Sequence, residues 1–367
     1  MNGKERLMNI FQGKPADRVS WTTICDDITR SIMSPEYKDI PLNEFYQKIG
    51  CDILQFGLYG LPEDARPVEY EIVNGVNESH SETSDGTYVR TRTFNGKSLS
   101  EKHKNGHPLK YPVETAEELK VYLEMLESYR IEPQEAGYKE RCLRCEAVIG
   151  ENGIYTPTFQ PSPVQQLIEY DCGVEAFYNL LYDETELMER VIDALFTIRR
   201  REYETVAKKS PFLAAIAVEN TSTAMISPEV YRKYSLNHMS EFVDIMHNHD
   251  KKAILHMCGH IYHLLPELKE TGLDGIHALT TPEIGDCSFE AALDALGDDL
   301  IIIGLLDSGV FQSPYTTEED IRDCVKKTLT PRLKESNFIL APVADGLPTD
   351  EWRFLAVKDA MEEYGKK

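Results

Sequence analysis

Short apolar runs bounded by turn residues recur along the chain at 19–25 (VSWTTIC), 52–57 (DILQFG), 146–150 (EAVIG), 213–219 (LAAIAVE), 253–258 (AILHMC), 275–280 (GIHALT), 300–306 (LIIIGLL) and 337–343 (NFILAPV). Uninterrupted apolar runs of this length suit strands of a parallel sheet. Between them lie stretches of helical periodicity at 163–181, 184–208, 227–249, 260–271, 288–296, 317–334 and 349–364. Ser227-Pro228-Glu229 sets a capping serine before a proline at the first helical position, and Thr349 precedes Asp350 and Glu351 in a first turn. Strand and helix alternate often enough to imply a parallel sheet, and eight strands can close it. The expected fold class is therefore α/β, a (β/α)8 TIM barrel forming a single domain over residues 1–367.

One segment breaks the alternation. Residues 69–112 are polar, with short alternating stretches around Asp85-Gly86 and Asn95-Gly96. Those dipeptides favour the left-handed turns of two-residue hairpins, so a small antiparallel β-hairpin insertion is expected after the second strand, over one mouth of the barrel.

Composition narrows the partners. A formal net charge of -23 repels nucleic acid and anionic membranes. No apolar run approaches the roughly 18 residues that cross a bilayer, and the first residues lack a signal-peptide core, so a cytoplasmic protein is expected. Eight cysteines scattered through a chain of this kind suit reduced thiols. Cys142 and Cys145 form a CxxC pair with no second pair to complete a four-sulfur zinc site.

Catalytic groups in such barrels project from the C-terminal ends of the strands. The fifth strand ends in Leu255-His256-Met257-Cys258-Gly259-His260, and alternation sends His256 and Cys258 to one side. An imidazole and a thiol together suit zinc, whereas the plainer alternative is a buried histidine beside a small apolar cysteine. Asp307 closes the seventh strand and either meets substrate, orients His256 or caps a helix. Asp26 and Asp27 follow the first strand as substrate-binding or capping acids. His238, His247 and His249 do not share one helix face and are expected to be solvated.

The text around Ile226–Tyr234, the sequence His256-Met257-Cys258-Gly259-His260, the helix LLPELKETGLD and the run GDDLIIIGLLD resemble the uroporphyrinogen-decarboxylase superfamily. The resemblance extends more weakly from KERLMNIFQGKPADRV onward. Within that superfamily, His-x-Cys-Gly resembles the methyltransferase branch, which includes methylcobamide:coenzyme M methyltransferases and the methyltransferase components of demethylating systems. The resemblance implies one Zn2+ per chain at His256 and Cys258, and a corrinoid or methylcobalamin co-substrate carried on a separate corrinoid protein. The methyl donor or acceptor is a small molecule, and Tyr155 resembles the family's pocket-lining aromatic.

Two departures qualify this reading. The decarboxylases carry a substrate-binding arginine after the first strand, where this chain has Cys25-Asp26-Asp27, so decarboxylation of a tetrapyrrole is the runner-up. The coenzyme M enzymes complete their zinc site with a cysteine near the last strand, where this chain has Ala344. Glu219, at the end of the fourth strand, is the expected third ligand and a catalytic candidate with Asp307, and Cys287 and Asp345 are weaker ligand candidates. A barrel that has lost catalysis and acts as a binding module is the remaining alternative.

Overall fold

The computed structural model describes all 367 residues. Its strands in chain order are β1 (Ser20–Trp21), β2 (Ile53–Phe56), β3 (Tyr70–Val73), β4 (Asn77–Glu82), β5 (Tyr88–Phe94), β6 (Lys97–Lys104), β7 (His107–Lys110), β8 (Arg130–Pro133), β9 (Gly153–Thr156), β10 (Ala214–Val218), β11 (Lys252–His256), β12 (Gly275–Leu279), β13 (Ile301–Leu305) and β14 (Asn337–Ala341). Six of them form a parallel sheet in the order β1-β14-β13-β12-β11-β10. β2 and β9 form a separate parallel pair. That pair touches both edges of the larger sheet. The Asp52 N–H donates to the Trp21 carbonyl at 2.8 Å beside β1, and Thr158, just past β9, bridges to Ile216 of β10.

Alternate residues of these strands turn toward a common interior. Ile154, Ile216, Ile254, Ile303 and Ile339 share one apolar cluster there, and each contributes roughly 1.5–3 kcal/mol by leaving water. The helix Gly3–Phe11 adds Leu7, Ile10 and Phe11 to the same cluster, so it seals the interior at one end. A larger cluster lies between the outward strand faces and the helices. Gly153 opens β9 because the two strands approach too closely for a side chain: a Cβ there would stand 1.8 Å from the Ile53 carbonyl oxygen.

The third parallel strand is not where the apolar pattern puts it. Residues 146–149 finish the helix Tyr138–Ile149, Gly150 opens a 3-10 turn, and β9 begins at Gly153. Tyr138, Cys142, Cys145 and Ile149 are buried at spacings of three and four, a helical stripe whose last turn mimics a strand. The CxxC thiols are part of that stripe, and burial pushes Cys145 up to about 12, the signature of core packing.

The expected helix 163–181 is also interrupted. It runs as Pro163–Gln166, then a π-helical turn at Leu167–Asp171, and resumes at Gly173–Asp183. Gly173 at the break has a φ of +71°, and a Cβ there would come within 2.5 Å of the Tyr111 ring.

Between β2 and β9 the chain forms a four-stranded antiparallel sheet, β4-β5-β6-β7, and the antiparallel pair β3-β8. Asn95-Gly96 and Asn105-Gly106 take the successive positive φ values that tight hairpins need. Arg92 of β5 reaches under this sheet to Asp171 at 3.8 Å, both side chains largely buried. No helix is long and apolar enough to cross a membrane.

Candidate active site

β10, β11 and β12 run in register, so that Val218 pairs with His256 and His256 with His277 at their C-terminal ends. Paired residues of a parallel sheet point the same way, and both imidazoles turn inward. Their Nδ1 atoms lie 2.7 Å apart. The Phe56 ring stacks on His277 with centroids 4.7 Å apart and planes 9° from parallel, and packs against His256 at 5.7 Å. Burial favours the neutral rings: it lowers His256 to about 4 and His277 well below the usual histidine range.

Cys258, two residues beyond β11, is partly exposed, and its thiol donates to the Asn220 Oδ1 at 2.8 Å. Asn220 adopts a left-handed φ of +46° and donates its N–H to the His256 carbonyl at 2.7 Å. The turn after β10 is thereby fixed against β11. Burial raises the Cys258 thiol, and the Glu169 carboxylate adds to the rise. The same carboxylate favours a charged His256, although burial outweighs it. Glu169 is exposed on the π-helical turn and accepts from the Gln165 amide at 2.9 Å.

Glu219 does not join this group. Because Val218 faces inward with His256, the next residue turns outward, and Glu219 is fully buried behind the sheet. One carboxylate oxygen accepts from the Thr221 hydroxyl at 2.5 Å, and the other lies toward the Ser162 hydroxyl without forming a well-directed hydrogen bond. Its charge acts on Tyr203 and Tyr231, buried tyrosines of the outer helices Thr185–Lys209 and Pro228–Tyr234. Burial raises Glu219 to about 7.

Asp307 caps the helix Ser308–Gln312, accepting from the Gly309 N–H at 2.8 Å and the Val310 N–H at 3.3 Å, and the ring partner of His256 is His277 instead. Asp26 likewise caps Asp27–Arg30 and accepts the Gly346 N–H at 3.2 Å, while Asp27 pairs with Arg30 at 2.9 Å. Tyr155 faces outward, since Ile154 belongs to the interior cluster, and packs edge-on against Phe212 with centroids 4.6 Å apart. Cys287 is buried, bonded to the Ser288 carbonyl and raised to about 12 by burial. Asp345 is exposed beside Asp26, whose charge adds to the burial that raises it. His238 is not solvated but stacked on Phe196 at 4.0 Å, and burial lowers it to about 4.

Zinc favours a thiolate and an imidazole, and the donors at His256 and Cys258 have that chemistry. No group of three His, Cys, Asp or Glu side chains converges on one point, so none of the three expected third ligands stands with them. The residues missing from the sequence-based site are His277, Asn220 and Glu169. Counting alternate positions along the run 275–280 would have turned His277 inward, but nothing in the text marks the π-helical turn that carries Glu169.

The uroporphyrinogen decarboxylase family profile matches residues 165–351. The methylcobamide:CoM methyltransferase MtbA of Methanosarcina acetivorans is 27% identical over 155 residues, which cover 42% of this chain and 44% of the relative, less than half its length. A methyltransferase from Methanosarcina mazei has a similar fold, with a TM-score of 0.58 over 99% of both chains at 15% identity. The matched profile spans half the chain and includes β10 to β14 with His256, Cys258 and His277: the protein belongs to the uroporphyrinogen decarboxylase family.

Proposed function

We propose that the chain is a corrinoid-dependent methyltransferase, built as one (β/α)8 barrel closed by β2 and β9, with its reaction centre at His256, Cys258 and His277. The observation that carries this reading is the pairing of an inward imidazole with a partly exposed thiol at the C-terminal end of β11. The similarity to a methylcobamide:CoM methyltransferase supports it. His256 and Cys258 are the residues that would hold zinc, and Glu219 is not a third donor beside them, since it is buried behind the sheet. A bound zinc ion would supply Lewis acidity, lowering the pKa of an acceptor thiol or polarising the oxygen of a methyl ether.

The protein's own groups do the rest. Phe56 packs against both imidazoles and lies flat on the buried ring of His277. Asn220 holds the Cys258 side chain until it is deprotonated. The corrinoid rides on a separate protein that meets the open strand ends. Decarboxylation of a tetrapyrrole is disfavoured because acids, not an arginine, follow β1, and one of them is committed to capping.

The test combines metal content with turnover. Purified protein should hold about one zinc per chain and, followed by the visible spectrum of the corrinoid, either demethylate methylcobalamin when given a small thiol or form methylcobalamin from a methyl ether and reduced corrinoid. Cys258→Ala should lose both. Protein with no zinc and no effect on methylcobalamin under either condition overturns the proposal.

A further inference from the structure

We infer that His277 is a positioning residue that sets the tautomer and orientation of His256, a step that rests on the proposed metal role of His256. The two histidines are register partners on adjacent strands, and their Nδ1 atoms face each other at 2.7 Å. A neutral imidazole has one donor and one acceptor nitrogen, so this contact holds one proton. If His277 donated it, His256 would keep its own proton on Nε2 and have no lone pair left for a metal. If His256 donates, its Nε2 lone pair is free and His277 carries its proton on Nε2. Only the second arrangement leaves His256 able to ligate.

The surroundings are built to hold His277 still. Its side chain is 3% exposed, and Phe56 lies flat against its ring. The ladder with β13 is irregular between His277 and Leu279, and Ala278 takes a φ of +66°, a conformation that side-chain-bearing residues adopt at a cost. The chain thus departs from regular strand geometry immediately after His277, beside the ring that faces His256. Ligating histidines commonly donate their second nitrogen to a carboxylate or carbonyl; here a second imidazole occupies that place.

Two variants separate positioning from bulk. His277→Phe keeps a flat ring against Phe56 and removes the acceptor, whereas His277→Asn places an amide oxygen about where Nδ1 stands. Zinc affinity, measured by competition with a chromophoric chelator, should fall about 10–100-fold in His277→Phe and recover in His277→Asn. Nitrogen NMR of the metal-free wild-type protein should show His256 protonated on Nδ1 and His277 on Nε2. A His256 proton on Nε2, or zinc affinity in His277→Phe equal to wild type, overturns the inference. Wild-type protein that binds no zinc yet shows the expected tautomers defeats the metal reading and leaves the positioning of His256 standing.

Discussion

Glu219→Gln separates a buried structural acid from a metal ligand. The carboxyl is fully buried, and its value is raised from 4.5 to about 7. A raised carboxyl favours the protonated folded state, so its cost to folding is absent well below pH 4.5 and grows as pH rises through about 7. At about 1.4 kcal/mol per unit, ionisation of this group destabilises the fold by about 1 kcal/mol at pH 5.5 and about 3 kcal/mol at pH 8. Glutamine keeps the oxygen that accepts from Thr221 and turns its amide toward the unpartnered side, where the Ser162, Tyr203 and Tyr231 hydroxyls also lack partners. Urea unfolding of wild type and variant at both pH values is the assay. The advantage of the variant should grow by about 2 kcal/mol between pH 5.5 and pH 8, with zinc affinity unchanged. An effect independent of pH, or a variant less stable at pH 8, refutes the reasoning.

Asp307→Ala should cost about 1 kcal/mol of stability by uncapping Ser308–Gln312, with zinc affinity intact, as read from unfolding curves and chelator competition. Asn220→Gly keeps the left-handed turn but frees the Cys258 thiol, so modification of that thiol by a disulfide reagent should accelerate, and an unchanged rate would discount the Asn220 contact. Gly173→Ala should destabilise by roughly 1–3 kcal/mol, because φ is positive and the new methyl meets Tyr111, measurable as a lowered melting temperature. Uroporphyrinogen should not be converted to coproporphyrinogen; chromatographic detection of turnover near 1 s⁻¹ would restore a decarboxylase.

Much of the parallel sheet is legible because buried strands read as apolar runs: the run 213–219 contains β10, and the run 300–306 contains β13. The third strand misleads because EAVIG closes a helix whose buried stripe continues Cys142 and Cys145, and five residues cannot separate a period of two from one of 3.6. The site is partly legible for the same reason. Alternation places His256 and, applied one strand further, would have placed His277. It also excludes Glu219, since adjacent strand residues face opposite ways and it is the preceding Val218 that pairs with His256. Nearness of strands is not enough to bring two side chains together. Asp307 and Asp26 show the ambiguity of strand-end acids, which satisfy free backbone N–H groups before any substrate arrives.

The Arg92–Asp171 contact makes the insertion a foundation rather than an ornament. Asp171 ends the π-helical turn that bears Glu169, and it is buried with the Tyr122 hydroxyl, the Gln166 amide and the guanidinium from β5 as its polar company. Trimming the antiparallel sheet to simplify the protein would strand a carboxylate in the interior and unseat the segment beside His256 and Cys258. Relatives that lack such a sheet must support that segment by other means, and grafting the strand-end residues onto them would not transplant the site.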